Sequence, residues 1–138
     1  MNKLKREGLS GPSLFKFLPF YYIFLSGDFM KKLFISLPMA GVSDEYIKKR
    51  MADIATYINE TLTDGPYELL DTFVEKPTDI SDPAGTYCLG RSISLLTNAD
   101  LVVFDVDWTR ARGCLVENMV CNLYHIHWME LTRPGEFA

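Results

Sequence analysis

Several function classes lose their main signature in this chain. There is no Walker loop, and no G-x-G-x-x-G follows the first strand-like run. The turn Leu37-Pro38-Met39-Ala40-Gly41 lacks the glycines that let a backbone close on a pyrophosphate. P-loop ATP hydrolysis is thereby excluded, a dinucleotide site is disfavoured, and no cofactor is expected. A basic surplus is missing too: 14 Lys and Arg stand against 18 Asp and Glu. Lys3, Lys5, Arg6 and Lys16 outnumber Glu7 and Asp28 in residues 1–29, so the rest of the chain carries a net charge of −6. So acidic a body exerts no long-range pull on a phosphate backbone, and no nucleic-acid polymer is expected as a partner. Small anions remain possible ligands, because local amides and arginines act at short range.

Cysteine is scarce and unpaired in pattern. Cys88, Cys114 and Cys121 are odd in number, which argues against a secreted disulfide framework and for a reducing cytoplasm. Cys121, His125 and His127 make the one grouping with metal-ligand residue types, but no fourth ligand is near, so ordinary packing and no metal is the reading. A run long enough to span a bilayer, about 20 apolar residues, is also lacking. The apolar stretch from Leu14 to Leu25 imitates a signal peptide, yet Lys16 and Pro19 interrupt it and no small-x-small cleavage pattern follows. We read residues 1–29 as a peripheral N-terminal extension or a start assigned too early, Met30-Lys31-Lys32 opening as a natural start would. A weak export or membrane-surface anchor is the alternative, and no membrane partner is expected.

What is present is a globular composition, with 48% hydrophobic residues over 138 positions, enough for one core and one domain at residues 30–138. Leu33 to Leu37 is a short apolar run ended by Pro38, hence a strand. Gly41-Val42-Ser43 turns, and Ser43 or Asp44 caps a helix whose dipole Asp44 and Glu45 complement. Ile47, Met51, Ile54, Ala55, Ile58 and Leu62 recur at helical spacing until Gly65-Pro66. Tyr67 to Phe73 reads as a second strand, Glu75 to Gly85 as a long loop, and Tyr87 to Asn98 as a helix. Asp100 to Phe104 is a doubly buried strand, Cys114 to Tyr124 a helix, and Ile126 to Leu131 a last strand. Alternation of this kind predicts a three-layer, Rossmann-like (flavodoxin-like) α/β domain with a mainly parallel sheet of four to five strands. Ligands of such sheets bind beyond the carboxyl ends of the strands, here Ser36 to Gly41, Asp71 to Glu75, and Asp105 to Gly113.

The densest chemistry is Asp105-Val106-Asp107-Trp108-Thr109-Arg110-Ala111-Arg112-Gly113-Cys114-Leu115-Val116-Glu117. It offers Trp108 to stack on a base, Arg110 and Arg112 to meet a phosphate, and Glu117 in a helix first turn, where the dipole favours an ionised nucleophile. The plainer alternative is surface pairing of the arginines with Asp105 and Asp107. Cys114 near a helix start invites a lowered thiol pKa, but with no histidine beside it in sequence a cysteine nucleophile is the weaker choice. Ser92 either bonds its own helix backbone or a ligand hydroxyl, Asp100 is structural, and Trp128 and Met129 belong to core or subunit interface.

At this cluster the chain resembles the nucleoside 2-deoxyribosyltransferase superfamily, including its deoxynucleoside 5'-monophosphate N-glycosidases. The matching pieces are Leu33 to Gly41, Leu89-Gly90-Arg91-Ser92, Asn98 to Phe104, and Trp108 to Glu117. The resemblance implies a homo-oligomer that cleaves or transfers at the N-glycosidic bond of a (deoxy)nucleoside or its monophosphate. It also implies a glutamate nucleophile four residues after a glycine, matching Gly113 and Glu117. Asp105 or Asp107 is then the acid nearest a leaving base, and Ser36, Pro38, Met39, Gly41, Ser92, Trp108, Arg110, Arg112 and Gly113 are the expected substrate-binding set. The chain departs from the family at three places: Leu33 where a tyrosine is common, Ser92 where an aspartate contacts the sugar, and Ala111 where aspartate or serine stands. A non-catalytic nucleotide or nucleotide-sugar binding module of the same fold is the alternative function.

Overall fold

The computed structural model describes residues 30–134; the expected N-terminal extension at 1–29 and the last four residues lie outside the described residues. The described chain runs β1 (Lys31–Ser36), α1 (Asp44–Thr61), β2 (Tyr67–Leu69), α2 (Thr86–Leu96), β3 (Leu101–Phe104), a 3-10 turn (Trp108–Arg110), α3 (Arg112–Leu123) and β4 (Trp128–Glu130). The four strands form one sheet in the order β2-β1-β3-β4, every pair parallel. This is the flavodoxin-like order for four strands, and the order reverses between β1 and β3.

Period-two alternation divides the core. Leu33, Ile35, Leu37, Leu101 and Val103 face α1, whose Ile47, Met51, Ile54 and Ile58 cover them. Phe34, Val102 and Phe104 face the opposite way and pack with Leu96 of α2 and Cys114 and Cys121 of α3. Because both faces are covered, β1 and β3 read as continuous apolar runs rather than alternating ones. The result is a three-layer Rossmann-like α/β fold.

Local signals explain the boundaries. Ser43 takes an extended conformation and its hydroxyl accepts from the Tyr46 amide, which starts α1. The last strand is trimmed from the expected Ile126–Leu131 to Trp128–Glu130 and other ends move by one or two residues; two boundary differences bear on the site. The second strand stops at Leu69 instead of running to Phe73, because Asp71 accepts the Phe73 amide in a local turn and draws the chain off the sheet. Helix α3 begins at Arg112, two residues earlier than expected, after extended Ala111. Glu117 therefore stands in the second turn of α3, where the dipole has largely faded, not in the first turn.

One polar contact ties the first layer to the sheet. Arg50 of α1 donates to both oxygens of Asp105 at the end of β3, at 2.9 and 2.7 Å. The Asp105 side chain is only 10% exposed against 34% for Arg50, so loss of the arginine strands a carboxylate that keeps only the Val106 amide. Arg50→Met is expected to cost about 1–3 kcal/mol in urea unfolding, part of the pair's strength being screened by solvent. Adding Asp105→Asn should recover part of that loss, and a double variant as unstable as the sum of the singles would show the pair to be uncoupled.

Candidate active site

Glu117 lies on the inward stripe of α3 with Cys114 and Cys121, the three buried residues of that helix. A charged residue at a core position needs partners. Two hydroxyls supply them. Ser36, the last residue of β1, donates to Glu117 Oε2 at 2.5 Å, and Ser92 in the middle of α2 donates to Oε1 at 2.6 Å. Strand alternation aims Ser36 at the α2–α3 side, the same face as Phe34. One carboxylate thus joins a strand and two helices, each of its oxygens accepting from a different element.

Burial dominates the electrostatics of this group. It pushes the Glu117 carboxyl above the ordinary glutamate value of 4.5, while the Ser36 and Ser92 hydroxyls pull in the opposite direction. The expectation that a helix N-terminus would favour the ionised form is corrected accordingly: desolvation in the second turn outweighs a dipole that acts in the first. Burial also pushes the Cys114 thiol up to about 11, with the Glu117 charge adding to the rise. The lowered thiol pKa weighed from sequence is therefore corrected as well, and Cys114 is not a thiolate nucleophile.

A cavity of about 610 Å³ opens in front of Glu117, in the size range of small-molecule sites. It lies beyond the carboxyl ends of β1, β2 and β3, spanned by the loop before α1, the stretch from Thr72 to Thr86, and the start of α3. Of the residues picked from sequence, Met39, Ser92, Arg110, Arg112, Gly113 and Glu117 line it. Ser36 reaches it through Glu117, while Pro38 and Gly41 belong to the same loop without lining the cavity.

The other sequence candidates are drawn elsewhere. Asp105 is held by Arg50, and Asp107, in a left-handed conformation (φ 64°), pairs with Arg133. Trp108 packs on Phe104, ring centroids 4.9 Å apart, and its indole N–H donates to Glu130. Neither aspartate lines the cavity, nor does the indole. Asp100 accepts from the Lys32 amide near the amino ends of the strands, a structural position. Cys121 is core, and among the described residues no group of three or more His, Cys, Asp or Glu is placed to hold a metal.

Sequence reasoning passed over Asp44, Thr72 and Cys88, all of which line the cavity. Thr72 was within the strand end named as a ligand edge, and Asp44 was read only as a dipole partner. Arg50 was missed as well, although it stands three residues after Ile47 and four before Ile54, the spacing of the α1 apolar stripe. The arrangement can bind a small polar ligand against an apolar wall and present to it a carboxylate with restricted solvent access.

Two measurements check the electrostatics. Since the folded state holds the Glu117 proton more tightly than the unfolded chain, the stability that this group contributes is fully present at low pH and is lost as pH rises through the raised value. Glu117→Gln is therefore expected to melt higher than the wild type at neutral pH, with the gap closing as pH falls towards 4.5. Ser92→Ala removes a hydroxyl that favours the carboxylate. It should shift the Glu117 carboxyl titration upward in 13C NMR, and a downward shift would contradict the hydrogen-bond assignment.

No family model matches the chain, and neither does a curated protein or a solved structure.

Proposed function

We propose that the protein breaks or exchanges the N-glycosidic bond of a (deoxy)nucleoside or nucleoside monophosphate, with Glu117 as nucleophile. The observation that carries the proposal is the placement of this carboxylate: buried, gripped by two hydroxyls from separate elements, and lining a cavity at the switch point of a parallel sheet. A glutamate serving only as a dipole partner would not need such a setting. The resemblance of Leu33 to Gly41, Leu89 to Ser92 and Trp108 to Glu117 to the nucleoside 2-deoxyribosyltransferases supports the same chemistry.

In the reaction, a Glu117 oxygen attacks the anomeric carbon as the carbon–nitrogen bond breaks through an oxocarbenium-like transition state. The bonding pair leaves with the base, which takes up a proton, and a glycosyl ester of Glu117 remains. Water or a second base then attacks that carbon, the ester bond breaks, and the carboxylate is regenerated. Ser36 and Ser92 hold the carboxylate in one orientation before attack. Arg110 and Arg112, exposed at the cavity rim and without an ion pair among the described residues, supply the positive charge a monophosphate requires.

Asp105 and Asp107, paired with Arg50 and Arg133 and not lining the cavity, give the leaving base no acid. The departing base instead takes its proton from water, and the hydroxide left behind is neutralised by the proton that the attacking water or the N–H of the incoming base gives up in the second step. With three free cysteines the chain suits a reducing compartment, and the cytoplasm is the proposed location. Among the described residues no helix is long and apolar enough to cross a membrane.

A homo-oligomer is part of the proposal. Leu115, Val116, Met119 and Leu123 expose an apolar face of α3, continued just past its end by Tyr124, 73% exposed, and Val116 also lines the cavity. A second copy on this face would enclose the site from that side. Light scattering should give a mass above that of one chain, reduced by Met119→Lys, whereas a monomer for the wild type would remove this part.

The activity test is a panel of deoxynucleosides and their monophosphates, with free base followed by chromatography. Base release should fall by about 1,000-fold or more in Glu117→Ala. Saturable binding with no release from any member would favour the non-catalytic binding module. Adding a second base separates transfer from hydrolysis, since only transfer forms the exchanged nucleoside.

A further inference from the structure

The cavity has ends of opposite electrical character. The 3-10 turn and the start of helix α3 open on it with Arg110, Arg112 and Gly113, and the first turn of α3 contains no acid. Helix α1 opens on it with Asp44, and the first turn of α1 contains both Asp44 and Glu45. Each helix start carries the partial positive charge of its dipole. At α1 the chain's own acids already answer that charge, and they would repel a phosphate. At α3 the dipole and two guanidinium groups add.

Between these ends the walls differ as well. Met39, Val42 and Ile47 give the α1 side an apolar surface suited to the face of a base, and Phe73 adds a ring, one face of which carries the Lys48 ammonium 4.4 Å from its centroid. Among the described residues two carboxylates line the cavity, Glu117 and Asp44. Glu117 is committed to Ser36 and Ser92. Asp44 is exposed and makes no ion pair among the described residues, so its oxygens are free to accept at the apolar end.

We infer that a nucleotide lies in the cavity with its phosphate at Arg110 and Arg112 and its base at Asp44, and that this base is guanine. The inference rests on the nucleotide reading given above and adds the orientation and the base to it. A carboxylate only accepts hydrogen bonds, so it fits an edge with adjacent donors. Guanine has that edge in N1–H and the 2-amino group. Hypoxanthine keeps N1–H alone. Adenine presents an acceptor at N1, and thymine flanks its single N–H with two carbonyls that a carboxylate repels.

The test is calorimetric binding of deoxyguanosine, deoxyinosine, deoxyadenosine and thymidine monophosphates to the full chain, beside Asp44→Asn and Arg112→Ala. Binding is measured with Glu117→Ala in the background, so that turnover does not consume the ligand. The guanine nucleotide is expected to bind about 10-fold or more tightly than the hypoxanthine one, as for a well-placed bidentate contact. Asp44→Asn should level the two. Arg112→Ala should weaken all four and leave their ranking intact. Equal affinities for the four, a preference that survives Asp44→Asn, or no binding of the guanine nucleotide overturns the inference. Base release by the wild type without guanine preference would do so while leaving the glycosidic chemistry standing. Asp44-dependent guanine binding without base release from any nucleotide would instead remove the chemistry and keep the assignment.

Discussion

Desolvation of one carboxylate is the constraint that the site is arranged around. Glu117 occupies a core position of α3, and a bare charge there would be costly enough to neutralise itself or unfold the helix packing. Two short hydroxyl donors meet it, Ser36 from the end of a strand and Ser92 from a neighbouring helix. The two donors leave the carboxylate with one orientation and balance part of its burial. They also make the site depend on the whole three-layer stack, because a shift of α2 or α3 against β1 breaks a bond to the same side chain.

The sheet order makes that meeting possible. With β1 between β2 and β3, the chain leaves β1 on the α1 side and returns past it to the α2–α3 side. The strand ends diverge where the order reverses, which opens the cavity over Ser36 and Glu117. Arg50 and Asp105 brace the other side of the gap by joining α1 to the end of β3. Structural and candidate functional charges are thereby separated: Asp105, Asp107 and Asp100 hold the frame, while Glu117, Asp44, Arg110 and Arg112 line the space.

Most of the architecture was legible in the sequence because periodicity reports burial directly. Leu33 to Leu37 read as a strand, Asp100 to Phe104 as a strand covered on both faces, and Ile47 to Leu62 as an amphipathic helix. Boundaries set by single polar contacts were less visible: the Asp71 turn that ends β2, and the extended Ala111 that starts α3 early. The candidate site was half legible. Glu117 and the arginines stood out because charge clustered at a strand end, whereas Ser92, in the middle of α2, was reached only through the resemblance. Proximity along the chain misled for Asp105, Asp107 and Trp108, whose partners Arg50, Arg133, Phe104 and Glu130 include residues far away in sequence. Asp44 and Thr72 were overlooked for the converse reason, as loops distant in sequence converge on the cavity only after folding.

Rapid acid quench of the wild type during turnover, followed by peptide mass spectrometry, tests the central claim most directly. The account predicts a peptide containing Glu117 heavier by one glycosyl group, present only while substrate is being consumed. Steady release of base with that peptide unmodified, or with the sugar attached to a different residue, would contradict it.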